Sequence, residues 1–167
     1  PAPLPADASV TEFSAGRAMQ DLEMIAREPH PIGDSPAHAK VRDYLLGEIR
    51  ALGLEPHVQD TFAYFVGPGA LAGGFVENII VRLPGTDPEG AILLMSHYDS
   101  SPGAPGAVDS GSGVVTILEL LRALRAKSPL RQDVIILFSD GEEPGTFGAQ
   151  AFVSQHPWLA DVRLAIN

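Results

Sequence analysis

The sequence predicts an α/β domain in which a mainly parallel sheet lies between two layers of helices. Three observations carry this. The chain of 167 residues suits one domain of ordinary size, and 45% of it is apolar, enough to fill a core. The stretches AILLMSH (Ala91 to His97) and DVIILFS (Asp133 to Ser139) are nearly continuous in hydrophobic residues, as strands covered on both faces must be. Segments with apolar residues at helical spacing alternate with them, the pattern that builds a parallel sheet.

The elements follow in order. PAPLPADAS at the start is a Pro/Ala stretch of the kind found at a domain edge, and residues 1–12 are expected to form a linker ahead of a single domain over 13–167. Ser14 can cap a first helix with Ala15, Ala18, Met19, Leu22 and Ile25 on one face. EPHPIGD (Glu28 to Asp34) breaks it. Ser35–Pro36 is a cap and first-turn pair for a second helix with Val41, Tyr44, Leu45, Ile49 and Leu52 inward, closed by Gly53. Glu55 to Phe65 reads as β, GPGALAGG (Gly67 to Gly74) as a mobile loop, and ENIIVRLPG (Glu77 to Gly85) as a strand and turn. A helix is expected over Asp109 to Arg125 with Val114, Ile117, Leu118, Leu121 and Leu124 facing inward, another over Phe147 to Gln155, and a last strand over Val162 to Asn167.

Composition narrows the function. Lys and Arg number 11 against 21 Asp and Glu, a net charge of −10, which argues against nucleic acid and against docking on anionic lipid. The absence of cysteine excludes disulfides and thiolate metal sites. No apolar run reaches the ~18 residues of a membrane span.

In a parallel sheet the ligand sits beyond the carboxyl ends of the strands. His97, Asp99, Asp140, Glu142 and Glu143 all fall there. A carboxylate two residues from a histidine can accept its second ring N–H or stand behind it, the device that orients a metal-binding imidazole. Asp109 is open to two readings: a cap for its helix, or a carboxylate that bridges two metal ions. Adjacent Glu142 and Glu143 at such a rim repel each other and lose water, costs that a cation removes, leaving one to bind metal and one to move protons. Imidazole with hard oxygen donors suits zinc. No dinucleotide fingerprint, nucleophile elbow, phosphate loop or H-E-x-x-H helix is present. His30, His38, His57 and His156 read as surface or structural.

SHYDSSPGAPGAVDSGSGVVTILELLRAL and VIILFSDGEEPGTFGAQAFV resemble the co-catalytic zinc exopeptidases of the bacterial leucyl aminopeptidase type. That family includes the glutamate carboxypeptidases, and EEPGTFGAQAFVSQHPW is similar to its membrane-anchored endoplasmic-reticulum and vacuolar branch. The resemblance runs from Phe13 to Asn167 and implies a three-layer, mainly parallel mixed sheet with helices on both faces. It implies that His97 binds one zinc, Asp109 bridges two, Glu143 binds the other, Glu142 is the general base and Asp99 orients His97. The residue after the bridging aspartate is usually Asp or Asn, joined through a cis peptide; here it is Ser110.

The resemblance implies further ligands, an Asp or Glu after a strand ending in Asn and a distant histidine. The chain is therefore expected to be the N-terminal part of a catalytic domain, to bind zinc weakly alone and to be inactive alone. A peptide substrate, a location outside the cytoplasm and self-association through an unfinished sheet edge are further expectations. The alternatives are a receptor-like module of the same fold without zinc chemistry, and a glutaminyl cyclase using a single zinc.

Overall fold

The computed structural model describes residues 2–67, 70–87, 89–127 and 129–167. Helices α1 (Ala15–Ile25) and α2 (Pro36–Ala51) lead into a long hairpin, β1 (His57–Gly67) and β2 (Ala70–Leu83). Strand β3 (Ala91–His97), helix α3 (Ser112–Arg125), strand β4 (Asp133–Ser139), helix α4 (Phe147–Gln155) and strand β5 (Val162–Ile166) follow. The caps are those the sequence offers: the hydroxyl of Ser14 accepts from the Arg17 amide, and that of Ser35 from the His38 amide with Pro36 in the first turn. Gly53, at φ 73°, closes α2 through its amide to the Arg50 carbonyl.

The five strands lie in the order β1-β2-β4-β3-β5. β1 and β4 are antiparallel to β2, and β3 is parallel to β4 and β5, so four strands run one way and β2 alone opposes them. β4 is buried along its whole length. Its side chains alternate between faces: Val134, Ile136 and Phe138 join Ile79, Val81 and Leu83 against α1, α2 and α3, while Ile135 and Leu137 join Ile80, Ala91 and Leu93 against Phe152 of α4. The result is the three-layer α/β architecture that the sequence predicts, with a mixed sheet in the middle, two of its strand pairings parallel and two antiparallel.

Three local expectations are corrected. GPGALAGG is no loop in its described part: Gly67 and Ala70 to Gly74 are paired strand residues, and Pro68 and Gly69 lie outside the described residues. Glycine stands at Gly73 because a Cβ there would come 2.8 Å from the Ala63 carbonyl oxygen. Met19 is 52% exposed, because Ala18, Leu22 and Ile25 form the stripe that meets the core and Met19 lies on its flank. α3 starts at Ser112 rather than Asp109, whose backbone is extended at φ −114°, ψ 94°.

A buried ionic network locks the helical layer. Glu119 of α3 is fully buried and accepts from the Ser14 amide (2.8 Å), from the Arg17 guanidinium (Nη2, 2.8 Å) and from Arg122. Arg17 also donates to the carbonyls of Ala6, Ala8, Ser9 and Glu12, fastening the segment before α1. Arg122 reaches Asp21 of α1 and Glu48 of α2. Burial by itself raises the Glu119 carboxyl pKa, but the hydrogen bonds from Arg17, the Ser14 amide and Arg122 outweigh it and hold the group below its ordinary value.

In the unfolded chain Glu119 titrates near its ordinary value, so its stabilisation is complete above that value and lost as pH falls through the lower, folded one. Glu119→Gln, which leaves two arginines short of a partner, lowers the unfolding free energy by about 3 kcal/mol at neutral pH. Urea denaturation checks this, and the gap between wild type and variant narrows in acid.

Candidate metal centre

His97 ends β3 and lies in register with Ser139, which ends β4, so two adjacent parallel strands release their chains side by side at the carboxyl edge of the sheet. The Tyr98 amide donates to the Ser139 carbonyl (2.9 Å), extending the pairing by one step. Asp99 then turns inward. Its carboxylate is buried, and its two oxygens accept from the amides of Glu142 (3.0 Å) and Glu143 (3.2 Å). One side chain after β3 thus fixes the backbone of the turn after β4.

The imidazole of His97 is mostly buried. Its Nδ1 donates to the carbonyl oxygen of Asp99 at 3.0 Å, with the Asp99 carboxylate 3.5 Å behind. The sequence expectation allows the carboxylate to accept this ring N–H or to stand behind it; it stands behind, because its oxygens are taken by the two amides. With Nδ1 so occupied, Nε2 is the atom turned to the site. It lies 3.0 Å from Asp109 Oδ1 and 3.8 Å from Glu142 Oε2. Burial pulls the His97 pKa down, but the hydrogen bonds to Asp99 and Asp109 overcome it and push the group up to about 9.

Asp109 caps no helix. It sits in a wide turn at Ala107–Gly111, and its carboxylate is exposed and directed at His97. The Asp109–Ser110 peptide is cis although Ser110 stands where the resembled family usually has Asp or Asn. The Ser110 hydroxyl lies 2.5 Å from that of Ser96 on β3, which joins the turn to the strand. Gly113 leaves room for this pair, since a Cβ there would press on both hydroxyls.

Glu142 is half exposed beside His97. Glu143 is exposed, and its carboxylate forms no hydrogen bond or ion pair with His97 or Asp109. The structure therefore brings His97, Asp99, Asp109 and Glu142 together and leaves Glu143 adjacent in sequence but outside their contacts. Among the described residues no three His, Asp or Glu side chains are grouped closely enough to hold an ion. The donors that do meet, an imidazole nitrogen and a carboxylate oxygen, fit zinc in type and fall short of it in number. A cleft of about 640 Å³ opens over them, with His97, Asp109 and Glu142 at its polar side and Leu94, Ile117, Leu120 and Ile166 at its apolar side.

Sequence reasoning places Asp140 at this edge but misses that it holds the edge from behind. Asp140 is buried; it accepts from His38 Nε2 (2.9 Å) and the Glu77 amide (2.9 Å), and its own amide donates to Asn78 (3.0 Å). His38, read as surface or structural, is a buried structural residue tying α2 to β4. His30 is structural too: its amide donates to the Ser100 hydroxyl at 2.8 Å. The signal available was the position of Asp140 between a buried strand and Gly141, which at φ 65° makes the sharp turn into Glu142.

Residues 78–167, more than half of the chain, match the family model described as peptidase family M28. The chain is 36% identical over 154 residues to a vacuolar membrane protease of Candida dubliniensis, covering 88% of this chain and 16% of that protein. Curated relatives of this kind are several times longer: the chain spans 16% to 18% of the length of the vacuolar membrane proteases it matches. Among solved structures it is similar to a Zn-dependent exopeptidase from Parabacteroides distasonis, with 26% identity and a TM-score of 0.66 over 89% of this chain and 58% of that one. It is also similar to the glutaminyl cyclase of Porphyromonas gingivalis, with 26% identity and a TM-score of 0.63 over 95% of this chain and 56% of that one. The fold, the cluster at the sheet edge and the family match agree: the chain belongs to peptidase family M28.

Proposed function

We propose that this chain is part of a zinc-dependent metallopeptidase of the aminopeptidase type, acting at a membrane on peptide substrates and with its catalytic domain outside the cytoplasm. The observation that carries the reading is the meeting of His97 Nε2, Asp109 Oδ1 and Glu142 Oε2 at the carboxyl edge of the sheet, held by the buried Asp99. His97 would hold one zinc, Glu143 the other, and Asp109 both. The chemistry supplied when zinc is bound is Lewis acidity, which brings the pKa of a water to ~7 and polarises a peptide carbonyl.

The remaining work falls to the chain's own groups. Asp99 is a positioning residue: it fixes the ring of His97 through its carbonyl and the Glu142–Glu143 backbone through its carboxylate. Glu142, half exposed and with no cation partner but His97 among the described residues, is the general base that takes a proton from the attacking water at Oε2 and delivers it to the leaving amine. The apolar wall of Ile117, Leu120 and Ile166 gives a substrate side chain a place to lose water. Likeness to vacuolar membrane proteases supports action at a membrane, although among the described residues no helix is long and apolar enough to cross one.

The glutaminyl cyclase alternative draws on structural likeness. Family M28 membership and the protease relatives favour the peptidase. Assays of the full-length protein on leucyl and glutaminyl peptides decide: release of leucine supports the peptidase, and cyclisation of the glutaminyl terminus without peptide hydrolysis contradicts it. No bound zinc and neither activity leaves the receptor-like module.

In the full-length protein, Glu142→Gln lowers kcat by about 10²-fold or more with zinc content unchanged, measured by kinetics and metal analysis side by side. Peptidase activity retained in that variant removes Glu142 from its role. The 167-residue chain alone takes up zinc weakly in calorimetric titration and hydrolyses no peptide, because only two donors meet. Two tight ions per chain overturn this.

A further inference from the structure

The β1–β2 hairpin outgrows the sheet. The β2 residues paired with β4 begin at Ile79, opposite Phe138, whereas pairing with β1 continues back to Ala70. The outer parts of the two strands thus form a two-stranded arm beyond the end of β4. Because β1 runs in the direction of β3 and β4, the arm overhangs the carboxyl edge that carries His97.

One face of the arm continues the row of Ile79, Val81 and Leu83 that the helices cover. By strand alternation and register it carries Phe62, Tyr64, Val66, Leu71 and Phe75, between 49% and 76% exposed. Cover ends at Glu77, whose carboxylate is held by Arg42 of α2 at 2.6 Å. The opposite face packs Ala63 and Val76 on Phe147 and Ala151 of α4 at its root, and nearer the tip shows Phe65, 45% exposed. From Thr61 to Val76 the sequence holds no charged residue, while Asp60 and Glu77 bracket the stretch in a chain of net charge −10.

We propose that this arm docks the domain on the surface of a neutral, zwitterionic bilayer. A flat protein partner would cover one face of the arm; lipid surrounds both, and both are apolar towards the tip. The absence of charge along the arm and the acidic surroundings match an uncharged interface and oppose an anionic one. Tyrosine and phenylalanine suit the headgroup boundary, where water still reaches the backbone groups on the outer edges of the arm that the pairing of β1 with β2 does not satisfy. Docking this way turns the His97 edge towards the membrane. The inference rests on the membrane-associated part of the proposed function and is independent of the zinc chemistry.

The test is co-sedimentation of the 167-residue chain with phosphatidylcholine vesicles, comparing wild type with the double variant Val66→Asp, Leu71→Asp. Both positions are largely exposed and pair with each other near the end of the arm, away from the core, so the paired carboxylates bear on the arm alone, and circular dichroism checks that the rest of the fold is kept. Wild type sediments with the vesicles and the double variant binds about tenfold or more weakly. In a separate Leu71→Trp variant, brominated lipid quenches a greater share of the emission than in wild type, whose one tryptophan is Trp158. Equal sedimentation of wild type and double variant, no sedimentation of wild type, no added quenching, or a wild-type dimer in light scattering that the double variant splits each overturns the proposal. The last result gives the arm to a second copy. No peptidase assay enters, so this result and that of the Glu142→Gln test fail separately.

Discussion

The buried carboxylate of Asp99 is the constraint on which the site depends. It spends both oxygens on the amides of Glu142 and Glu143 while its carbonyl orients His97. A buried carboxylate is costly unless fully hydrogen-bonded, and here the bonds that satisfy it also join the ends of two strands. The rim acidity that would drive the chains apart is thereby fixed in one arrangement, with His97 the one cation among Asp99, Asp109 and Glu142. Its raised pKa reports the same demand for positive charge.

The rest of the fold serves to place those strand ends. β4, buried throughout, and β3 in register beside it set His97 opposite Ser139. Asp140, which follows β4, is tied to α2 through His38 and to β2 through the Glu77 amide and Asn78. α4 closes over this from the other face, where Gly148 lies so near Asn78 and Asp140 that no Cβ could be fitted without displacing them. The Glu119 network performs the equivalent service for α1, α2 and α3 on the opposite layer. Rigid cover on both faces lets the loops at the edge carry charge without collapsing.

Much of this was legible in the sequence, for reasons that differ by element. β3, β4 and α4 were readable to the residue because continuous apolar runs and glycine or proline boundaries leave little choice. α1 and α2 were readable from their serine caps. The Gly-rich stretch at Gly67 to Gly74 was misread because glycine there allows strands to approach closely rather than to turn. The start of α3 was misplaced because Asp109, a good cap by residue type, is drawn to His97, a partner distant in sequence. The nearness of His97 and Glu142 follows from their places at the ends of the adjacent parallel strands β3 and β4, while Asp109 reaches them from the turn before α3. The role of Asp140 was not legible, since its partners, His38 of α2 and Glu77 and Asn78 of β2, come from two segments far from it in sequence that only the tertiary fold assembles.

The central claim is that the acidic rim of this sheet is built to hold divalent cations. Anomalous scattering at the zinc edge from crystals of the full-length protein grown with zinc tests it most directly. The account predicts one peak bonded to His97 Nε2 and Asp109, and a second bonded to Asp109 and Glu143 after that exposed side chain has swung inward. Zinc peaks elsewhere on the molecule, with His97 still hydrogen-bonded to a bare Asp109 carboxylate, would contradict it.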